Sequence, residues 1–325
     1  MVSASPSLLP RDSFRASLRV RILRTVAIGA AILFGLWVIF NTWLLWWGSG
    51  RIMHPPWMAR SRVVRGDPRQ RLGYSFDNVR IATDGGAMLP GWFVPGASNA
   101  TAGVVTVHGA GGNRAEFLPQ LKLLHEAGYP VLMFDCRDQG EAPGNAGIGL
   151  GVREHRDVEA AVRYMKRQQS IPRVAVFGCS QGAASAIEAG AEDRDIDAVI
   201  AEASFVEPNE VIAFDVSQLY PQVPRWFLNI QADLVVWRVG GTDMPGPIDV
   251  VSRVAPRPIL IMQGTADSQV PPRDGAALYA AAQTPKELWM ADGAHHCGII
   301  DKYPDDYRSR LLSFLARYLP VATSP

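Results

Sequence analysis

The sequence predicts an α/β fold in which helices cover both faces of a mostly parallel β-sheet, preceded by one apolar N-terminal helix. Short apolar runs alternate with helical patterns through most of the chain, as is typical of parallel sheets that are covered on both faces. The 325 residues are 48% hydrophobic and contain no internal repeat, which favours one large core. An uncharged segment near the N-terminus is long enough to span a bilayer.

That segment covers residues 26–47 and holds no charged side chain. Trp43, Trp46 and Trp47 cluster at its far end, where indole rings prefer the boundary between membrane and water. A cleaved signal peptide and a buried core helix are the alternatives. No small-x-small cleavage site follows closely, however, and the run is apolar all round rather than on one side. We therefore predict a single-pass membrane anchor whose partner is the lipid bilayer.

The anchor divides the chain into a basic tail (1–25), the anchor itself (26–47), a basic linker (48–71) and an α/β domain (72–325). The linker either rests on lipid headgroups or is plainly solvated. Arginines flank the anchor on both sides, at Arg11, Arg15, Arg19, Arg21 and Arg24 before it and at Arg51, Arg60, Arg62 and Arg65 after it. The excess before the anchor favours a cytoplasmic N-terminus, which places the α/β domain on the non-cytoplasmic side.

The strands of the α/β domain follow from its apolar runs. Two short strands flank the hairpin signal Asp84-Gly85-Gly86, at 79–83 and 88–94. The parallel strands are predicted at 104–108, 131–135, 174–177, 198–201, 259–262 and 288–290. Because ligands of such sheets bind beyond the carboxyl ends of the strands, the residues that follow these runs are the candidates for function.

The strongest candidate follows the run at 174–177, where the chain reads Gly178-Cys179-Ser180-Gln181-Gly182 before a small-residue helix pattern. A strand that turns sharply into a helix holds a serine hydroxyl out as a nucleophile, and the strained turn requires flanking residues without bulk. Gly178 and Gly182 meet this requirement. A merely structural turn is the alternative interpretation.

Two further candidates complete a triad. Asp267 follows the run at 259–262, and His295 and His296 follow the run at 288–290. The order Ser, Asp, His along the chain is that of an α/β-hydrolase rather than of chymotrypsin or subtilisin. A serine hydroxyl needs an imidazole to accept its proton, and the imidazole needs a carboxylate to hold its tautomer. This chemistry requires no metal and no organic cofactor.

The chain from about residue 74 resembles the membrane-associated, serine-aminopeptidase-like branch of the α/β-hydrolase fold. In that branch the last loop reads Gly-Ala-x-His, which assigns the catalytic base to His296 and leaves His295 as the alternative base. The loop His108-Gly109-Ala110-Gly111-Gly112 resembles the oxyanion loop of the family. The resemblance implies that the amides of Ala110 and Gln181 form the oxyanion hole and that His108 and Gly109 support it.

An insertion at about 205–249 is expected to form a cap over the site. Its rings either line an apolar pocket for the substrate or bury one another to hold the cap together. These rings are Phe214, Tyr220, Trp226, Phe227 and Trp237.

Three cysteines, Cys136, Cys179 and Cys297, are an odd number and indicate neither a disulfide framework nor a metal site. His125 and His155 fall in helical patterns and are expected at the surface.

The sequence therefore predicts a membrane-anchored serine hydrolase that acts through an acyl-enzyme on carboxylic esters with apolar, lipid-like acyl groups. An aminopeptidase or amidase of the same fold is the alternative that the resemblance suggests. A non-catalytic binding module at the membrane is the alternative from another class. Nucleic-acid binding is not expected, because the basic residues cluster beside the apolar span without aromatic interleaving.

Overall fold

The computed structural model describes residues 11–56, 58–241 and 245–321. The chain divides into two compact units with a boundary between Gly48 and Ser49. The predicted basic tail lies partly outside the described residues, as do residues 242–244 of the predicted cap.

The first unit is the greater part of one long helix, α1 (Arg11–Met53). The stretch Arg19–Met53 is the one candidate for a membrane span among the described residues, with a mean hydropathy of 2.2 in its most apolar window and no part of that window buried. Length and hydropathy of this kind suit a membrane anchor, and an N-terminal signal sequence meets the same criteria.

The second unit is built on an eight-stranded sheet with the strand order β1-β2-β4-β3-β5-β6-β7-β8. The strands are β1 (Asp77–Ala82), β2 (Met88–Val94), β3 (Ala102–Val107), β4 (Val131–Phe134), β5 (Arg173–Cys179), β6 (Ala198–Glu202), β7 (Ile259–Gly264) and β8 (Lys286–Ala291). β2 pairs antiparallel with β1 and with β4, and the remaining pairs are parallel. Each of the eight predicted strands is present, so the predicted fold class is confirmed.

Helices cover both faces of the sheet. The helices of this unit that follow α1 are α2 (Met58–Ser61), α3 (Pro68–Leu72), α4 (Leu118–Glu126), α5 (His155–Gln168), α6 (Gln181–Glu192), α7 (Pro208–Leu219), α8 (Arg225–Arg238), α9 (Pro247–Val250), α10 (Pro272–Ala281), α11 (Ile299–Lys302) and α12 (Pro304–Tyr318). Alternate strand residues point to opposite faces, so Val176 packs with α5 and α6 whereas Phe177 packs with α4 and α12. The central strands are buried on both faces, as their unbroken apolar runs predict.

The predicted linker is part of the second unit rather than a free connection. The last residues of α1 pack against the cap helices α7 and α8, where Met53 is buried beside Leu228 and Val235. The Met53 carbonyl accepts a hydrogen bond from the Ile148 amide at 3.0 Å. These contacts lie within the second unit and hold Met53 against the cap helices and the loop at Ile148.

Candidate active site

Ser180 lies in a sharp turn between β5 and α6. Its backbone has φ 56° and ψ −123°, a strained conformation for a residue with a side chain. A Cβ atom at Gly178 would lie 2.0 Å from the carbonyl oxygen of Gly182, and one at Gly182 would lie 2.0 Å from that of Val107. Only glycine fits at either position. The turn therefore has the form of a nucleophile elbow with Ser180 at its apex.

Asp267 follows β7 in a turn that fixes its carboxylate. One oxygen accepts hydrogen bonds from the amides of Gln269 and Val270, both at 2.9 Å. The other accepts from the side-chain amide of Gln263 at 3.1 Å and lies 2.8 Å from Nδ1 of His296. The contact with Asp267 assigns the proton to Nδ1 of His296 and leaves Nε2 as a proton acceptor.

The structure distinguishes the two neighbouring histidines. His296 contacts Asp267, whereas His295 is exposed and its Nδ1 lies 3.2 Å from the carbonyl oxygen of Ala266. Within the described residues, neither Ser180 Oγ nor His296 Nε2 has a hydrogen-bond partner. Hydrogen bonds of catalytic groups are commonly long before substrate binds, so the two groups have to approach each other in the complex.

The loop after β3 brings a backbone amide beside Ser180. A Cβ atom at Gly109 would lie 3.4 Å from the Cβ of Ser180, and Ala110 lines the same pocket as Ser180. Gln181 is the first residue of α6, and the first amides of a helix have no acceptor within it. In the part of the chain that is described, the amides of Ala110 and Gln181 donate no hydrogen bond. Two donors are thus free to bind an oxyanion.

His108 holds this loop in place. It is 1% exposed, its Nε2 accepts a hydrogen bond from the Cys136 amide at 3.0 Å, and its Nδ1 lies 2.7 Å from the carbonyl oxygen of Gly109. The Gly109 amide donates to the Glu116 carboxylate at 3.2 Å. Because both ring nitrogens of His108 are engaged by backbone groups, this residue is placed to support the loop rather than to move protons.

Comparisons with known proteins agree with this fold. Residues 98–255 match the family described as "Serine aminopeptidase, S33". An esterase from Pyrococcus furiosus superposes with a TM-score of 0.66 at 24% identity, covering 79% of this chain and 96% of that one. The chain has the α/β-hydrolase fold.

Curated relatives of this hydrolase share most of its length. The uncharacterized protein YfhR of Escherichia coli strain K12 is 27% identical over 254 residues, which are 74% of this chain and 81% of that one. The uncharacterized protein Rv2307c of Mycobacterium tuberculosis is 29% identical over 223 residues, which are 67% of this chain and 72% of that one. The esterase domain of a Rhodothermus marinus protein shares the fold, with a TM-score of 0.55 at 22% identity and coverage of 75% of this chain and 99% of that one.

The pocket above Ser180 in this hydrolase is lined mainly by aliphatic side chains. Its apolar lining consists of Ile52, Ile148, Leu150, Phe205, Val211, Ile212, Val216, Val235 and Val270. Most of these residues come from the predicted cap and the loops beside it, and Ile52 comes from the base of α1. The pocket is therefore suited to an apolar group bound next to the serine hydroxyl.

The five rings of the predicted cap behave differently from both expectations. None of them is among the described residues that line the pocket. Trp226 is 65% exposed, and Tyr220 and Trp237 are also more than half exposed, so these three rings do not form a buried core for the cap. α7 and α8 turn aliphatic residues toward the pocket and toward Met53, and Phe214 and Phe227 are partly buried.

One charged side chain, Asp215 on α7, is among the described residues that line the pocket. Burial raises the pKa of this carboxyl, and nearby His296 opposes that effect. Asp215 was not predicted from the sequence, because nothing in the local pattern of α7 indicates which face meets the pocket.

Glu202 is a second acidic group that the sequence analysis missed. It ends β6, is 1% exposed, and its carboxylate accepts a hydrogen bond from the Tyr307 hydroxyl at 2.7 Å. Its backbone carbonyl accepts the Ser180 amide at 2.8 Å. Burial raises the pKa of Glu202 to about 7. The signal for Glu202 in the sequence is a glutamate that ends an otherwise apolar strand.

The structure contains a disulfide between Cys179 and Cys297, so the prediction of no disulfide is wrong. The two cysteines are 118 residues apart in sequence, and only the folded sheet brings their Cα atoms to 6.2 Å. Cys136 is a buried free thiol, and burial raises its pKa well above the usual range. The three cysteines are therefore one disulfide-bonded pair and one buried free thiol.

Two groups in the described part of the chain have the spacing of metal ligands. The first joins Glu116 to Cys179 and Cys297, whose sulfurs are bonded to each other and are not thiolates. The second joins His155 to Glu159 and Glu192. The sequence predicted His155 at the surface, and this prediction is wrong. The residue is buried because its helix packs against the sheet. Burial lowers its pKa.

Proposed function

We propose that this protein is a membrane-anchored serine hydrolase that cleaves carboxylic esters with apolar acyl groups. The observation that carries the proposal is Ser180 at the apex of a strained elbow, facing an aliphatic pocket, in a site that also holds the hydrogen-bonded pair Asp267 and His296. The esterase from Pyrococcus furiosus with the same fold supports the reaction class.

In the proposed reaction, His296 Nε2 accepts the Ser180 proton while Ser180 Oγ attacks the ester carbonyl carbon. The carbonyl oxygen becomes an oxyanion that the amides of Ala110 and Gln181 stabilise, at roughly 3 kcal/mol for each donor. When the tetrahedral intermediate collapses, the ester C–O bond breaks and His296 gives its proton to the departing alcohol. Asp267 stabilises the imidazolium throughout.

The second half of the reaction releases the acyl group. His296 takes a proton from water, and the resulting hydroxide attacks the acyl carbon of the ester formed on Ser180. The same two amides stabilise the second oxyanion. Collapse returns the proton from His296 to Ser180 Oγ and frees the carboxylic acid, so the protein ends in its starting state.

Residues 26–47 of α1 are proposed to anchor the protein in the bilayer as a single-pass segment. Their length and hydropathy support insertion, and the greater number of arginines before the segment supports a non-cytoplasmic position for the catalytic domain. The disulfide gives independent support for this side, because disulfides persist in oxidising compartments and are rare in the cytosol.

A second candidate function is the cleavage of substrates with a free amino group, as an aminopeptidase or amidase. The specific observation that favours it is Asp215, whose carboxylate lies in a mainly aliphatic pocket and would pair with a cationic amine. The description of the matching family as a serine aminopeptidase points in the same direction. The triad would act in the same way, with His296 protonating an amine leaving group.

A substrate panel separates the two functions. The full chain in detergent is assayed with p-nitrophenyl esters of acetate, butyrate and octanoate and with leucine and proline p-nitroanilides. Ester hydrolysis that Ser180→Ala abolishes and Asp215→Asn leaves intact supports the esterase. Preferential anilide hydrolysis with a KM that Asp215→Asn raises at least 10-fold supports the aminopeptidase. Folded protein with no turnover of either class would leave the binding module as the better interpretation.

A further inference from the structure

We propose that the disulfide between Cys179 and Cys297 positions the candidate base against the candidate nucleophile, so that full activity requires the oxidised pair. The inference rests on the proposed function, in which Ser180 and His296 are the reacting side chains. Each of these residues is joined by one peptide bond to a bridged cysteine, since Cys179 precedes Ser180 and Cys297 follows His296.

The bridge joins two elements that are otherwise separate. Cys179 is the last residue of β5 and is buried in the core under the elbow, whereas Cys297 belongs to the loop between β8 and α11. β6 and β7 lie between β5 and β8 in the sheet, so no strand pairing connects the elbow to this loop. The bond between their two sulfurs connects them directly, and the Cα atoms of the bridged residues lie 6.2 Å apart.

Other contacts hold the beginning of this loop better than the part that carries the base. The Gly293 amide donates to the Thr265 hydroxyl at 2.7 Å, and the Ala294 carbonyl accepts the Ala266 amide at 3.0 Å. Within the described residues, the amides of His296 and Cys297 donate no hydrogen bond. His296 and Cys297 are therefore held mainly by the side-chain contact of His296 with Asp267 and by the disulfide.

The backbone conformation of Cys297 also has to be held in place by its surroundings. Its φ of 48° is in the left-handed region, which a residue with a side chain occupies only when its surroundings enforce it. Ser180, next to the other end of the bridge, has a φ of 56°. The bridge thus holds together two strained turns, one beside the hydroxyl and one beside the imidazole.

The sulfur of Cys297 is within reach of a soluble reductant. Cys297 is partly exposed in a surface hollow that Glu116, Pro119, Ile300 and Asp301 also line. A dithiol reduces the pair by breaking the S–S bond: each sulfur gains one electron and one proton, and the dithiol is oxidised to its own disulfide. Reduction removes the covalent link to the elbow, whereas the contact of His296 with Asp267 and the hydrogen bond from the Ile299 amide to the Glu202 carboxylate do not depend on the disulfide.

The effect on turnover follows from the sensitivity of catalysis to position. A displacement of about 1 Å between reacting groups costs on the order of 100-fold in rate. Neither bridged cysteine is among the described residues that line the pocket for the acyl group, so substrate binding should change little. We therefore expect kcat to fall roughly 10-fold to 100-fold on reduction, with KM within about 2-fold.

The test uses the full chain in detergent micelles with p-nitrophenyl butyrate as substrate. Thiols are first counted with a maleimide after denaturation without reductant, and one reactive thiol per chain is expected. kcat and KM are then measured for the wild type and for the double variant Cys179→Ala/Cys297→Ala, each with and without dithiothreitol. The double variant should resemble the reduced wild type and should not respond to dithiothreitol.

Two controls separate positioning from general damage. Cys136→Ala should respond to dithiothreitol as the wild type does, and removing dithiothreitol under air should restore the wild-type kcat. If the double variant does not fold, the reversible response of the wild type decides the question. Three reactive thiols, or a reduced wild type with unchanged kcat, would overturn the inference alone. An oxidised wild type that hydrolyses no ester would instead overturn the proposed function, and the inference with it.

Discussion

Replacing Glu202 with glutamine should remove a large pH dependence from the stability of the second unit. Burial raises the pKa of this carboxyl from 4.5 to about 7, so the folded chain holds a proton that the unfolded chain releases. At about 1.4 kcal/mol per pKa unit, the shift corresponds to about 3 kcal/mol. This contribution is complete below about pH 4.5 and is lost as the pH rises through about 7.

The assay is urea unfolding of the detergent-solubilised chain at pH steps from 5 to 8, for the wild type and Glu202→Gln. Other carboxyls also have raised pKa values, Glu207 to about 7 and Asp274 to about 6, so only the difference between the two proteins isolates Glu202. That difference should change by about 3 kcal/mol in favour of the variant as the pH rises. Parallel stability profiles would refute the reasoning.

A second variant gives the direction of the effect independently. The Tyr307 hydroxyl donates a hydrogen bond to the Glu202 carboxylate and thereby lowers its pKa. In Tyr307→Phe the pKa of Glu202 should therefore lie above that in the wild type, and the loss of stability, which begins at the same pH, should continue to a higher pH. A shift toward lower pH would contradict the assignment of the titration to Glu202.

Three further predictions concern the site. Gly182→Ala places a Cβ 2.0 Å from the Val107 carbonyl oxygen and should abolish activity, which ester hydrolysis and circular dichroism together will show. Asp267→Asn should lower kcat about 10⁴-fold with a small change in KM, because the amide favours the wrong tautomer of His296; steady-state kinetics that show less than a 10-fold loss would argue against the triad. Val216→Trp should shift the preference from octanoate toward acetate esters, whereas Trp226→Ala, on the exposed surface of the cap, should leave the preference unchanged.

Local patterns in the sequence were sufficient to predict the sheet and the elbow. A buried parallel strand is a short apolar run, and each such run forms a strand of the sheet. The tight packing at Gly178 and Gly182 follows from the geometry of a strand that turns at once into a helix. These features depend on neighbours in sequence, so the sequence displays them directly.

Features that depend on distant residues were not predictable in this way. The partners Cys179 and Cys297 are 118 residues apart, and counting cysteines cannot show that two of three will meet. The pKa of Glu202 depends on burial and on the Tyr307 hydroxyl, from the last long helix. Whether the rings of the cap face the pocket depends on how α7 and α8 pack around Met53.

The central claim is that Ser180 is an activated nucleophile, and covalent labelling tests it most directly. The full chain is treated with a fluorophosphonate, and the modified peptide is identified by mass spectrometry in the wild type, Ser180→Ala and His296→Ala, with His295→Ala as the matched control. The account predicts one adduct on Ser180 that is lost in Ser180→Ala and His296→Ala and kept in His295→Ala. A folded wild type without an adduct on Ser180 would contradict the account.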